Sequence, residues 1–145
     1  MSASLHDLDF HAWTQEQLRL IRSGRLDELD LSHLQEEIES MGASERRELG
    51  NRLAVLLAHL LKWQFQPERR GRSWQLTIKE QRNRIQRVLR QNPSLRPSLL
   101  ETVADVYSDA RLMAARETDR DETAFPQDCP WSADIILNET FWPSS

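Results

Sequence analysis

His59, Glu37, Lys62 and Asp109 are the residues of this chain whose types could do chemistry together. With Leu56 at the centre of its helical stripe, His59 falls about 60° to one side, inside the apolar arc between Val55 and Trp63. The same construction on an earlier helix puts Glu37 about 60° from Leu34, while Glu36 and Glu39 point outward. On a later helix Asp109 flanks the stripe beside Val106 and Met113. A buried carboxylate is expensive unless paired, so Glu37 needs a cation, and His59, Lys62 or an arginine would serve. Three helices bringing Glu37, His59 and Asp109 together would make a metal or acid–base site inside a bundle. A buried ion pair or hydrogen-bonded histidine that only fixes helix register is the other reading of the same residues. The Glu-x-x-His step of carboxylate-bridged dimetal bundles is absent, since Leu56 stands three before His59 and Asp30 three before His33. His6, His11 and His33 have no spacing that puts two of them on one helix face, which argues against a three-histidine site.

The second concentration of chemistry is positive charge. Lys62 to Arg96 holds ten Lys or Arg against two acids, Glu68 and Glu80, a net of +8 that leaves −12 for the rest of a chain whose total is −4. Arg69, Arg70 and Arg72 precede a helix start at Ser73 and Trp74, where free amides and the helix dipole also favour anions. A small anionic ligand, an acidic protein partner or nucleic acid would suit such a hairpin. Internal pairing with acids such as Glu36, Glu39 and Asp105 would satisfy the charge as well, and overall acidity works against general nucleic-acid affinity. Trp63 and Trp74 flank the basic loop, either as a hydrophobic clasp or as stacking platforms for a flat ligand. Cys129, the single cysteine, lies between Asp128 and Pro130, where negative charge discourages the thiolate. It has no partner thiol for a disulfide or a zinc pair, so a reducing compartment is expected. No phosphate-binding glycine loop, nucleophile elbow or dinucleotide fingerprint is present.

The elements that must position these residues read as helices throughout. A first helix over about Phe10 to Arg22 carries Phe10, Trp13, Leu20 and Ile21 on one face and stops at Gly24. A short second one starts at Ser32, aligns Leu34, Ile38 and Met41, and ends at Gly42. The longest runs from a Ser44 cap to about Gln66, with Leu49, Leu53, Leu56, Leu60 and Trp63 inward and Leu57 and Leu61 widening the stripe. A fourth follows Ser73 to about Arg90 with Trp74, Ile78, Ile85 and Leu89 inward, and a fifth follows Ser94 with Leu99, Val103, Tyr107 and Ala110 buried. The acidic, aromatic remainder from Thr118 reads as a tail packed on the bundle, with one short helix after Ser132. At 145 residues, 39% apolar and 29% charged, the chain is sized for one domain, residues 1–145. No apolar run approaches the roughly 20 residues of a membrane span, and Asp7 and Asp9 do not fit a signal peptide, so a soluble cytoplasmic protein is expected.

Asp9-Phe10-His11-Ala12-Trp13-Thr14, Leu34-Gln35-Glu36-Glu37-Ile38-Glu39-Ser40, His59-Leu60-Leu61-Lys62-Trp63-Gln64, Gln66-Pro67-Glu68-Arg69-Arg70, Ser73-Trp74 and Phe125-Pro126-Gln127-Asp128-Cys129-Pro130 together resemble, in order and spacing, a bacterial family catalogued as domain of unknown function 29. The likeness covers nearly the whole chain. It implies a stand-alone all-helical domain and carries no activity with it. The expectation is an all-α, single helical bundle of about five helices, most simply a non-enzymatic binding or regulatory module. A metal-dependent or acid–base enzyme with its site at Glu37 and His59 is the alternative, and an anion or nucleic-acid binder using the basic hairpin is a third. No cofactor or partner is specified by the residues themselves.

Overall fold

Helical periodicity decides the architecture: in the computed structural model, which describes residues 3–144, every regular element is a helix. Six α-helices follow one another as α1 (Leu5–Leu8), α2 (Phe10–Arg22), α3 (Leu31–Phe65), α4 (Arg72–Gln91), α5 (Leu99–Thr118) and α6 (Ala133–Leu137). Short 3-10 turns lie between several of them, and no strand occurs among the described residues. The chain divides into two compact units, Met1–Ala43 and Ser44–Ser145.

In the first unit Ser4 caps α1, and Asp9 caps α2 by accepting from the Ala12 amide at 3.0 Å. The helix α2 closes at Gly24, whose φ of +76° is the left-handed conformation that glycine adopts without strain. It buries Trp13, Gln17 and Leu20, whereas Phe10 and Ile21 are exposed rather than inward. Two side chains of α2 hold the residue that opens α3: Gln17 Oε1 accepts from the Asp30 amide at 2.8 Å, and Trp13 Nε1 donates to Asp30 Oδ2 at 2.9 Å.

The helix α3 is one uninterrupted element, so the expected break at Gly42 and the restart at Ser44 do not occur. Its φ is not positive, and a glycine inside a helix costs only about 1 kcal/mol against alanine, which continuing the helix absorbs. The helix opens at Asp30 rather than Ser32, with the Asp30 carboxylate accepting from the His33 amide at 3.4 Å. Ile38 and Met41, expected to face inward, are each 67% exposed.

In the second unit Leu49, Leu53, Leu56, Leu57, Leu60 and Leu61 of α3 form a core with Ile78, Ile85 and Leu89 of α4 and with Val103, Tyr107 and Ala110 of α5. Phe125, Ile136 and Leu137 of the C-terminal segment belong to that core, so the tail is packed as the sequence implies. The Tyr107 hydroxyl donates to the Pro126 carbonyl at 2.6 Å, and Phe65 meets Phe125 edge-on at 5.8 Å. Two starts shift. Gly71 rather than Ser73 precedes α4, and Pro93–Ser98 forms a 3-10 turn ahead of α5, where two prolines withhold backbone donors.

Candidate functional site

The buried stripe of α4 has a step that is not apolar. Ile78, Ile85 and Leu89 face the core, and the residue that completes their four-and-three spacing is Arg82, only 2% exposed. Its Nε donates to the Ile136 carbonyl of α6 at 2.9 Å, and its guanidinium lies 5.7 Å from the centre of the Trp142 ring. Its two terminal nitrogens, Nη1 and Nη2, have no hydrogen-bond partner among the described residues. Leaving charged donors buried and unpaired costs more than the 1–3 kcal/mol typical of a neutral one. Burial pushes the guanidinium down from its ordinary value and Glu139 opposes that push, yet an arginine stays charged.

Arg82 lines a cavity of about 280 Å³ together with Lys79, Asn83 and Glu139. A second cavity of about 420 Å³ shares Asn83 and Glu139 with it and extends along α4 past Gln86, Arg87 and Arg90. These α4 residues adjoin Arg82 because 79, 83, 86, 87 and 90 fall on one side of a 3.6-residue helix. The cleft therefore presents four cations, two amides and one carboxylate, Glu139. Sequence reasoning missed Arg82, although its place in the apolar stripe was readable.

The residues singled out from the sequence are distributed otherwise. Lys62, 3% exposed, puts its ammonium 2.5 Å from the Glu117 carboxylate, 3.4 Å from His59 Nε2 and 4.9 Å above the Trp74 ring. His59 Nδ1 lies 2.9 Å from the Val55 carbonyl, which can only accept, so Nδ1 carries the proton and Nε2 turns its lone pair toward the ammonium. Burial holds this imidazole below its ordinary value; the Val55 carbonyl opposes that and the Lys62 charge adds to it. The acid that completes the cluster is thus Glu117 of α5. Asp109 lies exposed on the same helix.

Glu37 does not meet His59. With no break at Gly42 the two stand on one helix instead of facing ones, and Glu37 Oε1 is 2.7 Å from His6 Nε2. Glu36 and Glu39 are exposed. In the basic hairpin, Arg69 and Arg72 are exposed, while Arg70 is committed internally. Its Nε donates to the Trp63 carbonyl at 2.5 Å and its guanidinium sits 5.2 Å from the Trp63 ring. Trp63 packs on Trp142 at 4.8 Å, and Trp74 lies under Lys62, so the two indoles serve different partners. Of the hairpin residues, Arg70 and Trp74 are thus engaged with Trp63 and Lys62, and Arg69 and Arg72 are exposed. Cys129 is half-buried, its thiol donating to the Trp131 carbonyl at 3.4 Å, and burial pushes that thiol up. No helix among the described residues is long and apolar enough to cross a membrane.

Compared with known proteins, residues 5–142 match the family model described as domain of unknown function DUF29. No curated protein and no solved structure matches the chain.

Proposed function

We propose that this chain, which belongs to the DUF29 family of domains of unknown function, is a non-enzymatic cytoplasmic binding module that takes a small oxyanion, a carboxylate or a phosphate, in the cleft beside Arg82. The observation that carries the reading is Arg82 itself, whose two terminal nitrogens are buried without a partner among the described residues and whose side chain borders a cavity. A guanidinium presents a planar fork of donors that matches two oxygens of a carboxylate or phosphate at once. Lys79, Arg87 and Arg90 add attraction, and Asn83 and Gln86 add neutral donors. Glu139 is a built-in competitor: it screens Arg82 when no ligand is bound and repels an arriving anion.

A regulatory role follows from what else Arg82 holds. The same side chain bonds the α6 backbone and stacks near Trp142, so an anion at Nη1 and Nη2 loads the junction of α4 with the C-terminal segment. The single cysteine supports the cytoplasmic placement.

Calorimetric titration of the protein at low salt with inorganic phosphate, and separately with acetate and citrate, tests the reading. Saturable binding of one class is expected, weakened about tenfold by Lys79→Ala and strengthened by Glu139→Gln, since each changes one charge at the cleft. Absence of saturable binding by any of these anions up to about 10 mM would overturn it. Binding of an oligonucleotide that excess phosphate does not displace would favour the nucleic-acid reading instead.

A further inference from the structure

The first unit holds a second set of chemical groups, independent of the Arg82 cleft. His6 of α1 and His33 of α3 stack with ring centres 4.1 Å apart and planes 13° from parallel. The buried Trp13 lies edge-on to both. Each ring has one nitrogen committed to a carboxylate: His6 Nε2 lies 2.7 Å from Glu37 Oε1, and His33 Nδ1 lies 2.7 Å from Asp30 Oδ2. Asp30 is itself fixed by the Trp13 indole N–H at 2.9 Å. The opposite nitrogens are the ones left over. His6 Nδ1 stands 3.3 Å from Asp7 Oδ1, and one ligand atom from each of His6, Asp7 and His33 falls within 4.8 Å of the other two.

This is the arrangement by which proteins prepare histidines for a metal. A ligating imidazole is oriented by a carboxylate on its far nitrogen, which fixes the tautomer and raises the basicity of the nitrogen that binds. Here Glu37 and Asp30 stand in those outer positions for His6 and His33. Two imidazoles and one carboxylate are borderline nitrogen and oxygen donors, suited to zinc and its neighbours and poorly suited to calcium or magnesium. Bonds of about 2.0–2.2 Å place tetrahedral ligand atoms roughly 3.3–3.6 Å apart, so atoms now within 4.8 Å of one another draw in by up to about 1.5 Å when the ion binds.

We propose that His6 Nδ1, His33 Nε2 and the Asp7 carboxylate form a site for one divalent transition-metal ion of the zinc type, with Glu37 and Asp30 as positioning residues. Both lone pairs reach one ion only if the rings leave their parallel stack, so metal binding splays His6 from His33. The ion takes the place of any proton on His6 Nδ1, which is released to solvent. Sequence spacing could not show the pair, because His6 and His33 come from different helices.

The test uses the untagged full chain, stripped by a chelator and titrated with zinc in a calorimeter, with ring resonances of all four histidines followed by NMR. One ion per chain is expected, with the His6 and His33 signals moving together as their mutual ring-current shift disappears. His33→Ala and Asp7→Asn should each weaken binding at least about tenfold, Glu37→Gln about 10- to 100-fold, and His11→Ala not at all. Should a variant fail to fold, the wild-type spectra decide. Zinc that moves His11 or His59 in place of His6 and His33 overturns the assignment, as does equal zinc affinity in the wild type and a folded His33→Ala.

Discussion

Lys62 and Arg82 are two buried cations on the +8 segment, and their surroundings separate their roles. Lys62 is satisfied: its ammonium has a carboxylate, a ring nitrogen and an indole face around it. Lys62→Ala should therefore cost about 3 kcal/mol, the low end for breaking a buried pair, because Glu117 is partly exposed and water recovers some of the loss. Lys62→Met, which keeps the stem against Trp74, should cost clearly less, and urea denaturation of the two variants checks the order. His59 gives a pH signature. Its folded value lies below 6.5, so the unfolded chain takes up the proton first as pH falls, and stability drops from about pH 6.5 toward the folded value. His59→Gln should flatten that part of the stability–pH curve; an unchanged slope would mean that His59 is not held neutral. At this scale the sequence shows that His59 and Lys62 lie on a buried face. Their acid was not readable, since Glu117 comes 55 positions after Lys62 and Glu37 is taken by His6.

The elements were more legible than their ends. Apolar spacing alone located α2, α4 and α5 and the buried half of α3, because burial of a stripe dominates their stability. Caps and breakers misled where the packing was indifferent to them. Gly42 reads as a stop, but a stop needs the left-handed conformation that Gly24 adopts and Gly42 does not. The space around Gly42 makes a direct test: an added Cβ would meet nothing within 4 Å. Gly42→Ala should then stabilise the protein by about 0.5–1 kcal/mol through the helix interior, whereas Gly42→Pro should destabilise it by about 3 kcal/mol or more. Thermal melts of both variants decide it, and destabilisation by alanine would show that α3 is broken at this point.

For the molecule as a whole, the all-helical class was plain from the sequence, and the division of the chain was not, because a continuous helix passes the boundary between Ala43 and Ser44 without any break in pattern. The large core lies wholly within residues 44–145. A fragment of those residues should fold cooperatively by itself, which circular dichroism and a two-state urea transition would verify. Charge drew the sequence reading to the hairpin, where Arg69 and Arg72 are exposed, and away from Arg82, which lies buried four residues after Ile78 and three before Ile85 in the apolar stripe of the same basic segment. The central claim concerns Arg82, and NMR of its guanidinium reports on it directly. In a phosphate or carboxylate titration, the Arg82 Nη protons should move downfield, slow their exchange with water and sharpen as the anion pairs with both nitrogens. Saturating shifts confined to Lys79, Arg87 and Arg90, with the Arg82 Nη signals unmoved, would contradict the account.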